Sequence, residues 1–238
     1  ITDEIMDQLP RCQVIVRRGV GFDNIDLAAA SRHGICISNV PEYCQPDVAL
    51  HTISLFLSAV RYIPALNARM QRHNGDFGDC KMYRLNDKTY GLISFGSIPR
   101  TMVPILKALG LNIIAWDPFV KEEQMASLGV KRIETLDELL KTSDFVSVHV
   151  PLNDQTRNMI SAPQLKMMKE GAYIFNTARG GIIDEAALAE EIVFGHIAGA
   201  GLDVLLDEEG FNSPLNGIER AILTPHVAYY TEESSLEL

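Results

Sequence analysis

Short apolar runs alternate with amphipathic stretches along almost the whole chain. Residues 14–16 and 35–37 read as buried strands, and 91–93, 112–116, 145–149, 172–175, 199–202 and 221–223 follow. Helical spacing covers 23–32, 48–72, 122–128, 135–141, 162–169 and 184–194. Strands alternating with helices over this length predict an α/β fold, a doubly wound parallel sheet with helices on both faces. The strands are near-continuously apolar, as expected where both faces are covered. Asp23, Asn24, Ile25 and Asp26 mark a helix start, and 48–72 reads as one long helix. The stretch 73–86 is polar, with Asn74-Gly75 and Phe77-Gly78 as turn signals.

Composition narrows the function classes. Of 238 residues, 47% are hydrophobic and 22% charged, which is ordinary for a globular protein. The formal net charge of -10 argues against nucleic acid or an anionic membrane as the main partner, because both need basic patches. Cys12, Cys36, Cys44 and Cys80 form no CxxC pair and no metal-ligand spacing, so they read as buried reduced thiols of a reducing compartment. No apolar run approaches the ~20 residues of a membrane span. The chain starts at Ile1 rather than Met, as expected if an N-terminal piece is absent.

A dinucleotide site needs a strand, a tight glycine turn and a helix N-terminus aimed at the pyrophosphate. After Tyr90-Gly91-Leu92-Ile93 the chain reads Ser94-Phe95-Gly96-Ser97-Ile98-Pro99. Against G-x-G-x-x-G, only the middle glycine, Gly96, is present. Ser94 brings a Cβ to the tightest point of the turn. Pro99 has no N–H to donate, and Pro104 falls where the helix interior belongs, which costs ~3 kcal/mol or a kink. Asp117, 23 residues after Ser94, ends the next strand. A carboxylate there accepts from a ribose 2′-OH and repels a 2′-phosphate, favouring NAD over NADP; its other reading is a turn cap before Pro118.

Two further positions suggest chemistry. Arg179, in Asn176-Thr177-Ala178-Arg179-Gly180-Gly181, lies just past a buried strand, where open α/β sheets bind ligands. Its planar fork suits a 2-keto carboxylate. His226, in Leu223-Thr224-Pro225-His226, is a side chain able to exchange one proton near neutral pH.

These blocks, with Val148-His149-Val150-Pro151-Leu152 and Gly201-Leu202-Asp203-Val204, resemble the D-isomer-specific 2-hydroxyacid dehydrogenases over essentially the whole chain. The resemblance implies a Rossmann-type NAD domain at 48–226 and a flavodoxin-like substrate domain, incomplete here, at 1–47 plus 227–238. It implies His226 as general acid and base, Arg179 on the substrate carboxylate, and Glu208, 29 residues after Arg179, holding the His. The usual Glu-Pro is Glu208-Glu209 here, so Glu209 is the alternate. Gly96, Ser97, Ile98, Asp117, His149, Pro151, Thr156, Thr177, Ala178 and Asp203 are the implied NAD contacts. Val20 and Gly21, in Arg17-Arg18-Gly19-Val20-Gly21, are implied to bind substrate through their backbone, and Arg17 to meet a distal anion or solvent.

Tyr229 stands where many relatives have glycine, and either narrows the substrate pocket or packs between domains. With Pro41-Glu42-Tyr43-Cys44 it resembles the branch of the C-terminal-binding-protein corepressors, beside phosphoglycerate dehydrogenase-like members. A cytoplasmic homodimer is the implied state. The expected activity is an NAD-dependent oxidoreductase of a small D-2-hydroxy acid. The altered glycine loop leaves a second class open: a relative without turnover that senses a dinucleotide or binds other proteins.

Overall fold

Each long apolar run feeds two cores at once, because successive strand residues point to opposite faces. The structure is a computed structural model that describes residues 1–238. The chain divides into two units, Ile1–Gln45 with Tyr230–Leu238, and Pro46–Tyr229.

In the first unit, α1 (Asp3–Asp7), β1 (Val14–Arg17), α2 (Leu27–His33) and β2 (Cys36–Asn39) surround a small core of Met6, Ile25, Ala29, Ala30 and Ile35. The Asp26 carboxylate caps α2 by accepting the Ala29 N–H at 2.8 Å, and Gly34 closes it in the left-handed conformation. β1 and β2 pair in parallel. They are not the buried strands their sequence suggests: Val14 and Val16 are exposed, and only Ile15 and Ile37 face the core. An apolar run of three residues cannot say whether one or both faces are covered. Nor are the thiols uniformly buried. All four are free, Cys44 is buried, Cys12 and Cys80 are partly exposed, and Cys36 is exposed.

The second unit contains α3 (Gln45–Val60), α4 (Ile63–Gln71), β3 (Thr89–Ile93), α5 (Ser97–Ala108), β4 (Asn112–Trp116), α6 (Glu122–Ala126) and β5 (Lys131–Arg132). It continues with α7 (Leu136–Thr142), β6 (Phe145–Val148), α8 (Ala162–Met167), β7 (Ala172–Asn176), α9 (Glu185–Phe194), β8 (Ile197–Leu202) and β9 (Ala221–Leu223). α10 (Glu232–Glu237) returns to the first unit. The seven strands form one parallel sheet in the order β5-β4-β3-β6-β7-β8-β9. Tyr90, Leu92, Phe145, Tyr173 and Phe175 enter one core, while Ile93, Val146, Val148 and Ile174 enter the other. The strand order reverses between β3 and β6, which opens a crevice at their carboxyl ends.

The single helix expected over 48–72 is two helices bent by 61°. Tyr62 takes a left-handed φ of 53°, and Pro64 falls in the first turn of α4. Proline cannot donate to the carbonyl four residues back, so the α3 ladder stops there. β5 is absent from the expected strands because Lys131 and Arg132 give no apolar signal.

α5 survives both its prolines. Pro99 is the third residue of the helix, where the N–H has no intrahelical acceptor to lose. Pro104 lies in the interior but on the exposed side, while Met102, Val103 and Leu106 bury the opposite face. Burial of that face outweighs one missing ladder bond. Replacing Pro104 by Ala is expected to stabilise the chain by about 2 kcal/mol, short of the full interior penalty because the proline lies on the exposed face of the helix. Urea denaturation followed by the fluorescence of Trp116, the sole tryptophan, checks this; an unchanged midpoint would refute it.

Candidate active site

The carboxyl ends of β7, β8 and β9 are tied in series. Asp203 N–H donates to the Asn176 carbonyl at 2.9 Å, and His226 N–H donates to the Asp203 carbonyl at 2.7 Å. Arg179, Asp203 and His226 therefore follow three adjacent strands at the same edge of the sheet. Asn176 shapes the first turn: its amide donates to the Arg179 carbonyl and its Oδ1 accepts the Ala178 N–H. Gly180 lets this turn approach the segment carrying Glu208, because a Cβ there would collide with the Leu205 backbone carbonyl. The partly buried Arg179 guanidinium donates to the Ala178 carbonyl at 2.7 Å.

His226 sits on a left-handed residue, φ 53°, so the backbone is held where only its surroundings favour it. Its Nδ1 is 2.9 Å from Glu208 Oε2. Glu208, not Glu209, is the carboxylate that meets the ring. An ionised carboxylate only accepts, so Nδ1 carries the proton and Nε2 is the ring's acceptor nitrogen. Both side chains are part-exposed, and the Tyr229 ring packs edge-on against the imidazole with centroids 6.2 Å apart. Tyr229 thus borders the candidate general acid within the second unit.

Two buried carboxylates support these groups. The Asp203 side chain is buried and accepts from the Thr224 hydroxyl at 2.5 Å and from the Val227 and Ala228 N–H groups at 3.0 and 2.8 Å. His51 Nε2, from α3, lies 3.0 Å from Thr224 Oγ1 and 3.4 Å from the Asp203 carboxylate. Burial pushes the Asp203 carboxyl upward, but the donors from His51, Thr224 and the two amides outweigh it and hold the group below 3.8. Glu185, the first residue of α9, accepts the Leu206 N–H at 2.6 Å and the Ser213 hydroxyl at 2.5 Å. It pins both sides of the loop that presents Glu208. Sequence reasoning passed over His51, Thr224 and Glu185, whose significance lies in partners 152, 21 and 28 residues away. A lone His or Glu at a helix start carries no local signal for this.

The β3–α5 turn has the form of a phosphate seat. Gly96 is exposed, and a Cβ built on it meets nothing within 4 Å. It begins α5 without a side-chain cap, so the Ser97 and Ile98 amides stand at an open helix N-terminus. Pro99 removes one donor from that set. Ser94 occupies a φ of 81°, which costs a non-glycine residue about 1–2 kcal/mol. The chemistry of these donors fits a dinucleotide pyrophosphate.

The remaining expected NAD contacts have internal partners. Thr156 closes the 151–156 turn, donating to the Pro151 carbonyl and accepting the Asn153 N–H. Thr177 is buried and shares a 2.7 Å hydrogen bond with Thr52. His149 Nε2 is 2.7 Å from Ser147 Oγ, and desolvation pushes the imidazole down to about 3. Desolvation therefore favours the neutral imidazole. In the first unit, Val20 and Gly21 follow β1: the Val20 carbonyl accepts from Asn39, and Arg17 is turned onto the Arg18 carbonyl.

Residues 53–228 match the family described as D-isomer specific 2-hydroxyacid dehydrogenase, NAD binding domain. The chain is 40% identical to a D-3-phosphoglycerate dehydrogenase of Methanocaldococcus jannaschii over 98% of its own length and 45% of that protein. It thus spans about half the length of the curated relatives it matches. Among solved structures, a D-lactate dehydrogenase from Aquifex aeolicus, complexed with NAD and lactic acid, superposes with a TM-score of 0.91 at 34% identity, covering 99% of this chain and 75% of that one. A glyoxylate reductase from Paecilomyes thermophila gives 0.90 at 33%, covering 99% and 71%.

Proposed function

The chain belongs to the D-isomer specific 2-hydroxyacid dehydrogenase family, and we propose that it interconverts a small D-2-hydroxy acid and its 2-keto acid with NAD. The observation that carries this reading is the Glu208–His226 pair beside the Arg179 turn, on the edge of a family-type NAD domain. When bound, NAD supplies or accepts the hydride at its nicotinamide C4. Arg179 holds the substrate carboxylate and so fixes C2 in place. His226 Nε2 gives its proton to the forming hydroxyl during reduction and takes it back during oxidation. Glu208 keeps the proton on Nδ1 and stabilises the imidazolium while it exists. Gly96, Ser97 and Ile98 hold the pyrophosphate.

The test is NADH oxidation with a panel of 2-keto acids, phosphorylated and not, beside an NADH titration. Turnover on any member supports the reading. NADH binding without turnover on the whole panel would leave a sensing or interaction role. No NADH binding would remove the cofactor reading itself. Arg179→Lys is expected to raise KM for the keto acid about 30-fold with a smaller change in kcat, since lysine keeps the charge and loses the fork. An unchanged KM would take Arg179 out of substrate binding.

We also read the chain as a homodimer. Leu50 on α3 and Ile63 and Met70 on α4 are exposed apolar groups on neighbouring helices, which supports a covered face. Sedimentation as a monomer at micromolar concentration would oppose it.

A further inference from the structure

The Asp117 carboxylate is enclosed and fully engaged. It is 7% exposed. Oδ2 accepts from the Ser94 hydroxyl at 3.1 Å and the Phe95 N–H at 2.9 Å. Oδ1 accepts from the Phe119 and Val120 N–H groups at 2.8 and 3.2 Å. A carboxylate offers about four lone-pair sites, and four donors fill them. Three of the donors are backbone amides fixed by the turns on either side. The fourth is a side-chain hydroxyl on one rotatable bond, and glycine at that position would have no such group.

We propose that Ser94 sets the chain's dinucleotide preference by competing, through its hydroxyl, with the ribose 2′-OH for the Asp117 carboxylate. This rests on the NAD reading given above. Of the four donors, only the Ser94 hydroxyl can leave without unfolding a turn, so a ligand hydroxyl gains Asp117 by displacing it. The exchange trades one charge-assisted hydrogen bond for another and leaves Ser94 to find a new partner. Affinity for a ligand with a free 2′-OH is lowered. A ligand with a 2′-phosphate gains nothing when Asp117 is released, because it meets the carboxylate's charge either way. The loop therefore narrows the usual advantage of NAD over NADP without any contact to the phosphate.

The experiment measures dissociation constants of NADH and NADPH by fluorescence titration, with no turnover required. The proteins are the full chain and its Ser94→Ala and Ser94→Gly variants. Ala removes the hydroxyl and keeps the strained φ; Gly removes both. Both variants are expected to bind NADH about tenfold more tightly and NADPH less than about twofold more tightly. An unchanged NADH affinity in Ser94→Ala would overturn the proposal. So would an equal gain for both nucleotides in Ser94→Ala, or a gain confined to Ser94→Gly, which would mean relief of backbone strain instead of release of Asp117. If neither the parent nor either variant binds NADH, the NAD reading fails and this inference goes with it. If all three bind NADH equally, that reading stands and only the competition is refuted.

Discussion

His226→Gln is expected to lower kcat for 2-keto acid reduction by about 10³-fold while leaving the NADH dissociation constant within about twofold. Glutamine reaches as far as the imidazole and retains a donor, but its amide cannot release a proton at neutral pH. The reduction would then draw its proton from solvent. Glu208→Gln is expected to cost only about 10- to 100-fold, because its amide oxygen still accepts the Nδ1 proton 2.9 Å away but no longer stabilises the imidazolium. The double variant should be about as slow as His226→Gln alone, since Glu208 acts only through the ring. Steady-state and single-turnover kinetics on the best keto acid of the panel check all three. His226→Gln retaining a tenth of the parent kcat, or losses that multiply in the double variant, would remove the pair from the proton step.

Features that depend on near neighbours in sequence were open to inspection. The long strands of the second unit repeat an apolar pattern that only a sheet covered on both faces satisfies, and their order of appearance gives the doubly wound topology. Arg179, Glu208 and His226 announced themselves through local blocks, and the geometry joins two of them directly. Features that depend on partners far along the chain were not visible. Tyr62 carries no sign that it will turn left-handed between two helices; only Pro64 hints at the break. The exposed faces of Val14 and Val16 follow from what does not pack against β1, which three apolar letters do not record. The carboxylates were legible as carboxylates but not by their occupants. Asp117 and Asp203 look like ligand contacts in sequence, yet each is already engaged by four internal donors or donor groups. Saturation of an acceptor is a three-dimensional property, and it decides how much of each carboxylate a ligand can use.

Asp203→Ala is expected to destabilise the chain by about 3 kcal/mol at neutral pH. The substitution orphans the Val227 and Ala228 amides together and leaves the Thr224 hydroxyl only His51 as a partner. Those two amides follow His226, whose left-handed turn then loses its clamp, so activity falls with stability. Asp203→Asn should recover only part of the loss. Its oxygen can serve Thr224 and Val227, but its NH₂ is then aimed at the Ala228 N–H, donor against donor. The pH dependence has a definite sign. The folded carboxyl is held below its unfolded value of about 3.9, so its contribution is complete above that value and is lost as pH falls through the folded one. The gap between parent and Asp203→Ala should therefore be widest near neutrality and shrink as pH falls below the unfolded value. Urea denaturation read by Trp116, in the same unit as Asp203, measures both the gap and its trend. A gap below about 1 kcal/mol, or one that stays constant into acid, would mean that the ionised carboxylate is not what holds the His226 turn.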